Sequence, residues 1–285
     1  MTTGALHKMI VTHENPVQYQ LILNKDSIQV NQWLKKKITI TFLDEIFCIQ
    51  CGRKIKQSFQ QGYCFPCMQK INECNNCMIH PEKCLVETGQ CDPTQWAHQQ
   101  CHQPHVVYLA NSSGLKVGIT REKNVPMRWI DQGAAQALPI FKTANRYQAG
   151  LIEVALKNYV ADKTNWRVML RETVAPLDLV SQKKILLSQA EKEIAHIIKK
   201  YPDAVTLLND QKIFQFDYPI IQYPTKVTAL SLDKTPTITD ILQGIKGQYL
   251  LFNSGVLNVR KFGGYVVAID DASTTSKHPQ HLIQK

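Results

Sequence analysis

The chain reads as an α/β protein of the α+β kind, and three observations predict it. β-branched runs with period-2 alternation recur towards both ends, and helical spacing is confined to residues 147–201. A cysteine-rich stretch with almost no aliphatic periodicity stands between the first strands and the rest. The 285 residues are 44% hydrophobic and 20% charged, enough apolar side chains for buried cores and too many for wholesale disorder. No apolar run reaches the ~18 residues of a membrane span. No signal-peptide pattern opens the chain, because Lys8 and His13 interrupt the apolar residues around Leu6–Val11. Membrane and secreted proteins are therefore not expected; the expected compartment is the cytoplasm.

Residues 1–47 form an N-terminal β segment. Val17–Leu23 alternates in part, and Ile38–Leu43 alternates fully with β-branched side chains. Residues 48–104 are rich in Cys, Gln and Asn, as a zinc-binding lobe held by metal would be. Residues 105–172 make a middle module. It opens with a strand, Val106–Ala110, a turn, Asn111–Gly114, and a returning strand, Leu115–Thr120, which together read as a hairpin. Helical spacing at Tyr147, Leu151, Val154, Ala155, Asn158 and Tyr159 predicts a helix ending before Asp162. Residues 173–205 are a helical connector, with one helix over Lys183–Tyr201. Its stripe is Leu186, Leu187, Ala190, Ile194, Ile197 and Ile198, and Pro202 stops it. Residues 206–285 form a C-terminal β module with strands at Ile213–Phe216, Lys226–Leu232, Tyr249–Phe252, Val256–Val259 and Tyr265–Ile269. The Ser/Thr/Lys/His-rich tail after Asp271 is expected to be mobile.

Nine cysteines stand between positions 48 and 101, and none follows. Without a signal peptide, clustered thiols point to metal rather than to disulfides. Cys48, Cys51, Cys64 and Cys67 spell C-x2-C-x12-C-x2-C. Each pair can curl into a turn that aims both sulfurs at one ion, and tetrahedral Zn2+ is satisfied by four thiolates without redox chemistry; an iron–sulfur cluster is the minor competitor. Gly52 and Gly62 flank the ligands where tight knuckles favour small residues. A second structural zinc is expected from the pool Cys74, Cys77, His80, Cys84, Cys91, His98, Cys101, His102 and His105. Spacing alone leaves its ligands open: Cys74-x2-Cys77 is a knuckle, and Cys101-x3-His105 is equally usable.

The chain carries a formal +10. Each four-thiolate zinc site would take about −2 from it. Residues 105–172 hold ten basic and five acidic side chains, half of the net charge in a quarter of the length. If a phosphate backbone binds anywhere, this module is the first place to look; a solvated basic face is the plainer reading of the same charge.

Within that module, Val106-Val-Tyr-Leu-Ala110, Lys116-Val-Gly-Ile-Thr120, Arg128 and Glu153 resemble the GIY-YIG endonuclease superfamily, in the branch whose second motif reads Lys-Ile-Gly. Ten residues separate Tyr108 from Gly118 and ten more separate Gly118 from Arg128, which suits two strands followed by a helix. The resemblance implies a small mixed sheet with helices, flanked here by the zinc lobe and the terminal β segments. It also implies hydrolysis of DNA or RNA: Tyr108 would deprotonate or orient water, Arg128 would clamp the scissile phosphate, and Glu153 would hold one Mg2+ or Mn2+ at the leaving 3′ oxygen. Lys116 stands where a second tyrosine is usual, and a cation there can hold phosphate but cannot act as a phenol. Asn165 is a candidate for the asparagine that often completes such sites. Singly, these residues have structural readings: Tyr108 as a core tyrosine, Arg128 stacked on Trp129, Glu153 paired within an apolar helix.

A second similarity covers most of the chain, including the Cys segment and Gly244-Ile-Lys-Gly-Gln-Tyr-Leu250, and is to a group of uncharacterised bacterial proteins. It implies Cys77, Cys84, Cys101 and His105 as the second metal set. Three functions follow as expectations: a metal-dependent nuclease, a non-catalytic zinc-containing nucleic-acid-binding protein on a degenerate nuclease fold, or a metal-held scaffold.

Overall fold

The alternating run at Ile38 grows into an eleven-residue strand, Lys37–Phe47, in which Ile38, Ile40 and Ile46 are buried. The computed structural model describes residues 1–91, 95–161 and 163–271, so the tail expected beyond Asp271 lies outside the described residues. The chain divides into two units. One comprises Met1–Ile10, Gln18–Phe65 and Pro219–Lys285, the other Val11–Val17 and Pro66–Tyr218.

In the first unit Lys37–Phe47 is central to a seven-stranded sheet. Its strand order is Thr2–Ala5, Tyr265–Asp271, Lys37–Phe47, Thr237–Lys246, Tyr249–Phe252 and Val256–Asn258, with Lys54–Ile55 paired to the end of the central strand. The N- and C-terminal β segments, separate in the sequence reading, are thus interleaved: Ile40 pairs with Ile238 on one side and Ile269 on the other. Alternation reveals a strand and its buried face but not its neighbour. Lys226–Leu232, expected as a strand, makes only the bridge Ala229–Val256, because the edge strand beside it is three residues long.

The second unit is built on a five-stranded sheet, Val205–Leu207, Gln136–Thr143, His105–Asn111 and Leu115–Arg121 in order, with Phe214–Gln215 also paired to Gln136–Thr143. The α+β class holds. Its described ladders are antiparallel where a mixed sheet was expected, and a parallel bridge joins Lys116 to Ala161. The predicted hairpin is present. Its other neighbour, Gln136–Thr143, escaped the sequence reading because Pro139 interrupts it; a register shift at Val107/Tyr108, opposite Pro139, absorbs the missing donor.

The helix Arg146–Lys157 starts at a capping box: Asn145 Oδ1 accepts from Gln148 N at 3.1 Å, and Gln148 Oε1 accepts from Asn145 N at 3.3 Å. Ala149, Ile152, Ala155 and Leu156 bury one face of it against Val107, Leu109, Val117 and Ile140 of the sheet. The connector is two helices, Leu179–Gln189 and Glu191–Lys200, rather than one. Ala190, at φ −99° and ψ 18°, breaks the run while Leu186, Ala190, Ile194 and Ile197 all stay in the core. Turning at a small buried residue keeps both apolar stripes on the sheet. Among the described residues no helix is long and apolar enough to cross a membrane.

Candidate functional site

The central strand of the first unit runs straight into a knuckle. Cys48 follows Phe47 directly; Cys48 N donates to Arg53 O and Gly52 N donates to Cys48 O, both at 2.9 Å. Gly52 takes φ +70°, which a side chain would strain. The returning loop passes Gly62, at φ +139°, where a Cβ would stand 2.8 Å from the Ile49 side chain. Cys64 N then donates to Cys48 Sγ at 3.2 Å. The sulfurs of Cys48, Cys51, Cys64 and Cys67 lie within 4.8 Å of one another, and those of Cys51 and Cys64 are 3.8 Å apart. Zinc at ~2.3 Å from four tetrahedral sulfurs needs sulfur–sulfur edges of about 3.8 Å. The set is dimensioned for such an ion and can bind a metal. Burial opposes ionisation of Cys48, but the amides of Cys51, Cys64 and Gln50 aimed at its sulfur outweigh this and bring the thiol down to about 6.

In the second unit the hairpin sets Tyr108 opposite Gly118 and Ala110 opposite Lys116. Tyr108 is 1% exposed, and its ring crosses the neighbouring strand so closely that a Cβ on Gly118 would stand 2.7 Å from the phenol oxygen. Gly118 is therefore required by the tyrosine. We expect Gly118→Ala to cost about 1–3 kcal/mol of stability, the usual range for overpacking, as a lowered midpoint in urea with unchanged slope. An unchanged midpoint would mean the ring moves aside freely.

The Tyr108 hydroxyl donates to Gln132 Oε1 at 2.9 Å. Lys116, 5% exposed, donates from Nζ to the same Gln132 oxygen at 3.0 Å and to Thr164 Oγ1 at 2.9 Å. Burial raises the Tyr108 phenol to about 12; Arg128 and the Gln132 bond oppose the rise and Glu153 adds to it. At neutral pH Tyr108 is a neutral donor. Trp129 packs edge-on against Tyr108, with ring centroids 5.5 Å apart, and also against Phe214. An arginine lies over an indole at Arg167, 4.3 Å from Trp166, whereas the stacking of Arg128 on Trp129 that stood as its structural alternative is not found among the described residues.

Glu153 is 8% exposed and lies 3.6 Å from Lys157 Nζ, one turn on. Its charge reaches Tyr108 and also Arg146, seven residues back on the same helical face. Arg121, Arg128 and Arg146 act on one another, and burial lowers both Arg121 and Arg146. Of the four residues named for chemistry, Tyr108 and Lys116 of the hairpin meet through Gln132, while the charges of Arg128, on the helix Met127–Asp131, and Glu153, on Arg146–Lys157, both bear on Tyr108. Asn165 is instead a helix cap: its Oδ1 accepts from Arg167 N and Val168 N at 3.2 and 3.3 Å.

Sequence reading missed Thr164 and Arg146, and it held Gln132 only as the end of the segment 126–132, read as a groove lining or a buried helix start. A glutamine after a short helix has no motif of its own, and a threonine in a loop has none either. Arg146 directly follows the Asn145 cap, one residue ahead of Tyr147, where the helical spacing was read to begin.

Of the cysteine lobe, Cys77, Cys84 and Cys101 act electrostatically on one another, and Cys91 joins them. His105 is buried in its strand, and its Nδ1 lies 2.7 Å from Gln103 O, so Nδ1 carries the proton. Burial, only partly offset by that carbonyl, lowers the imidazole to about 4. Among the described residues only the first cysteine set brings three or more ligand atoms within 4.8 Å of each other.

A family model described as "Protein of unknown function (DUF2797)" matches residues 35–267. No curated protein and no solved structure matches the chain.

Proposed function

This chain belongs to the DUF2797 family, and we propose that it hydrolyses phosphodiester bonds of nucleic acid on its 105–172 module, in the manner of a GIY-YIG endonuclease. The observation that supports this best is the meeting of Tyr108, Arg128 and Glu153 within one electrostatic field although they come from three elements. The buried carboxylate of Glu153 fits Mg2+ or Mn2+, which keep several waters and take few protein ligands. Held at Glu153, such an ion would supply positive charge to the leaving 3′ oxygen. Arg128 neutralises the phosphate oxygens. Tyr108, protonated and tied to Gln132, orients the attacking water through its lone pairs and is not the base. Lys116 keeps Gln132 in place and adds positive charge to the pocket. The Cys48, Cys51, Cys64 and Cys67 set holds structural Zn2+, and nine cysteines outside any disulfide suit the reducing cytoplasm.

One observation favours a second reading. Lys116 is buried and locked between Gln132 and Thr164, where a second phenol would complete the chemistry. That supports a zinc-containing nucleic-acid-binding protein that no longer cuts.

Incubation with structured DNA and RNA in Mg2+ or Mn2+, beside binding measured across a salt series, separates the two. Cleavage supports the nuclease. Steeply salt-dependent binding without cleavage supports the binding protein, and flat binding with no cleavage sinks both. Arg128→Ala is expected to lower the log–log salt slope by about 1 and weaken binding uniformly across sequences. A slope equal to that of wild type would remove Arg128 from the phosphate.

A further inference from the structure

Four stretches of the second unit, far apart in the chain, enclose a cleft of about 500 Å³. Backbone bonds hold three of them together: Phe216 N donates to Ala135 O at 3.0 Å, and Val17 N donates to Asp217 O at 2.9 Å. The fourth, around Val174 and Pro176, is tied down by two buried amides. Asn111 Nδ2 donates to Ala175 O at 2.8 Å and to Gln136 Oε1 at 3.1 Å. The same Gln136 oxygen accepts from Leu177 N at 2.8 Å. Buried amides are costly unless bonded. Here their bonds fix a surface loop that walls the cleft.

The lining is of three kinds. Phe216, mostly buried, and His13 form an aromatic face, their ring centroids 5.2 Å apart. Val174 and Pro176 are apolar, and Glu14 and Asp217, both exposed, bring carboxylates. Among the described residues no lysine or arginine lines the cleft, although residues 105–172 are basic. A phosphate would meet two negative charges there and no positive one. A flat, uncharged ring with hydrogen-bond donors on its edge suits all three kinds of wall. The acidic residues do not make a metal site: among the described residues, no set with His13, Glu14 or Asp217 gathers three ligand atoms within 4.8 Å.

The aromatic face continues to the Tyr108 site. Phe216 packs on Trp129, with centroids 6.3 Å apart, and Trp129 packs on Tyr108. His13, Phe216, Trp129 and Tyr108 thus form one row of rings.

We propose that this cleft takes one unpaired nucleobase bearing an exocyclic amino group, its ring against Phe216 and His13 and its amino hydrogens donated to Glu14 and Asp217. Aromatic side chains, histidine among them, stack unpaired bases, and carboxylates accept from amino groups such as cytosine N4. Cytosine, adenine and guanine carry such a group, whereas uracil would turn carbonyls towards the carboxylates. The inference deepens the nucleic-acid reading and rests on it for the strand that presents the base. Arg128 would then take phosphate and the cleft a base, so that position and identity are read by separate groups.

Free ribonucleosides, which carry no phosphate, test the cleft without a strand. Binding to the full-length protein is measured by equilibrium dialysis. Wild type should hold cytidine, adenosine and guanosine about tenfold or more tightly than uridine, the discrimination of one good edge contact. The double variant Glu14→Gln, Asp217→Asn should lose that preference. His13→Ala should weaken binding of the three amino-bearing nucleosides by about 5- to 150-fold, the range for losing one stacked ring. All three side chains are exposed, so melting temperatures should match wild type. Equal binding of all four nucleosides would assign the cleft to ribose and overturn the proposal. Binding of none at millimolar concentration would do the same, as would a preference that survives the double variant. Failure of the nuclease reading looks different: selective nucleoside binding with no cleavage and no salt-dependent binding of DNA or RNA would sink the nuclease and keep the base site. Cleavage without nucleoside binding would sink the base site alone.

Discussion

Glu153→Gln is expected to lower metal-dependent cleavage by at least about 10²- to 10³-fold, the range for losing one preorganised charge-stabilising contact, while nucleic-acid binding persists. The amide matches the carboxylate in shape, so the apolar face of the helix, Ile152, Ala155 and Leu156, keeps its packing. What disappears is the negative charge, on which a hard cation depends. Two further effects are small. The ion pair with Lys157 at 3.6 Å is lost, and a partly exposed i,i+4 pair is worth only a few tenths of a kcal/mol. The carboxylate also raises the Tyr108 phenol, so its removal leaves the tyrosine protonated at neutral pH only a little less firmly. An unaltered melting temperature would assign the lost activity to the charge. Full activity in Glu153→Gln would place the catalytic ion elsewhere and sink this site.

Cys64→Ser is expected to release one zinc and to unfold the loop from Cys48 to Cys67. Structural zinc in small domains contributes roughly 10–16 kcal/mol of apparent binding free energy. A whole domain is stable by only about 5–15 kcal/mol, so no loop in this position can forgo it. Cys64 is buried, and its amide holds Cys48 Sγ at 3.2 Å, so the variant removes a ligand without removing the backbone tie. Limited proteolysis within residues 48–67, read beside metal content, is the check: rapid cleavage with one ion missing is the expected pair of results. Because the central strand Lys37–Phe47 ends at this knuckle, the melting temperature should fall as well. A variant that keeps its full zinc and resists protease would show that four thiolates are not required here.

Several parts of this fold were legible at once, each for a local reason. The strand at Ile38, the hairpin from Val106 to Thr120 and the helix through Leu151 and Val154 all rest on periodicities spanning a few residues. Pro139 concealed the strand Gln136–Thr143, since proline argues against a central strand unless a bulge accommodates it. Ala190 concealed a helix break, since alanine is the best helix former and only packing makes the turn there.

By itself, the sequence determined the α+β class, the cysteine knuckles of the first metal set and the basic character of residues 105–172. All three depend on spacing or on sums along the chain. Only the tertiary structure decided that Ile40 lies between Ile238 and Ile269, that Gln132 joins Tyr108 to Lys116, and that Arg146 N bonds to Cys101 O. Those meetings depend on sheet register and on the docking of one helix end. Both are set by buried contacts between residues far apart in the chain, and no local period records them.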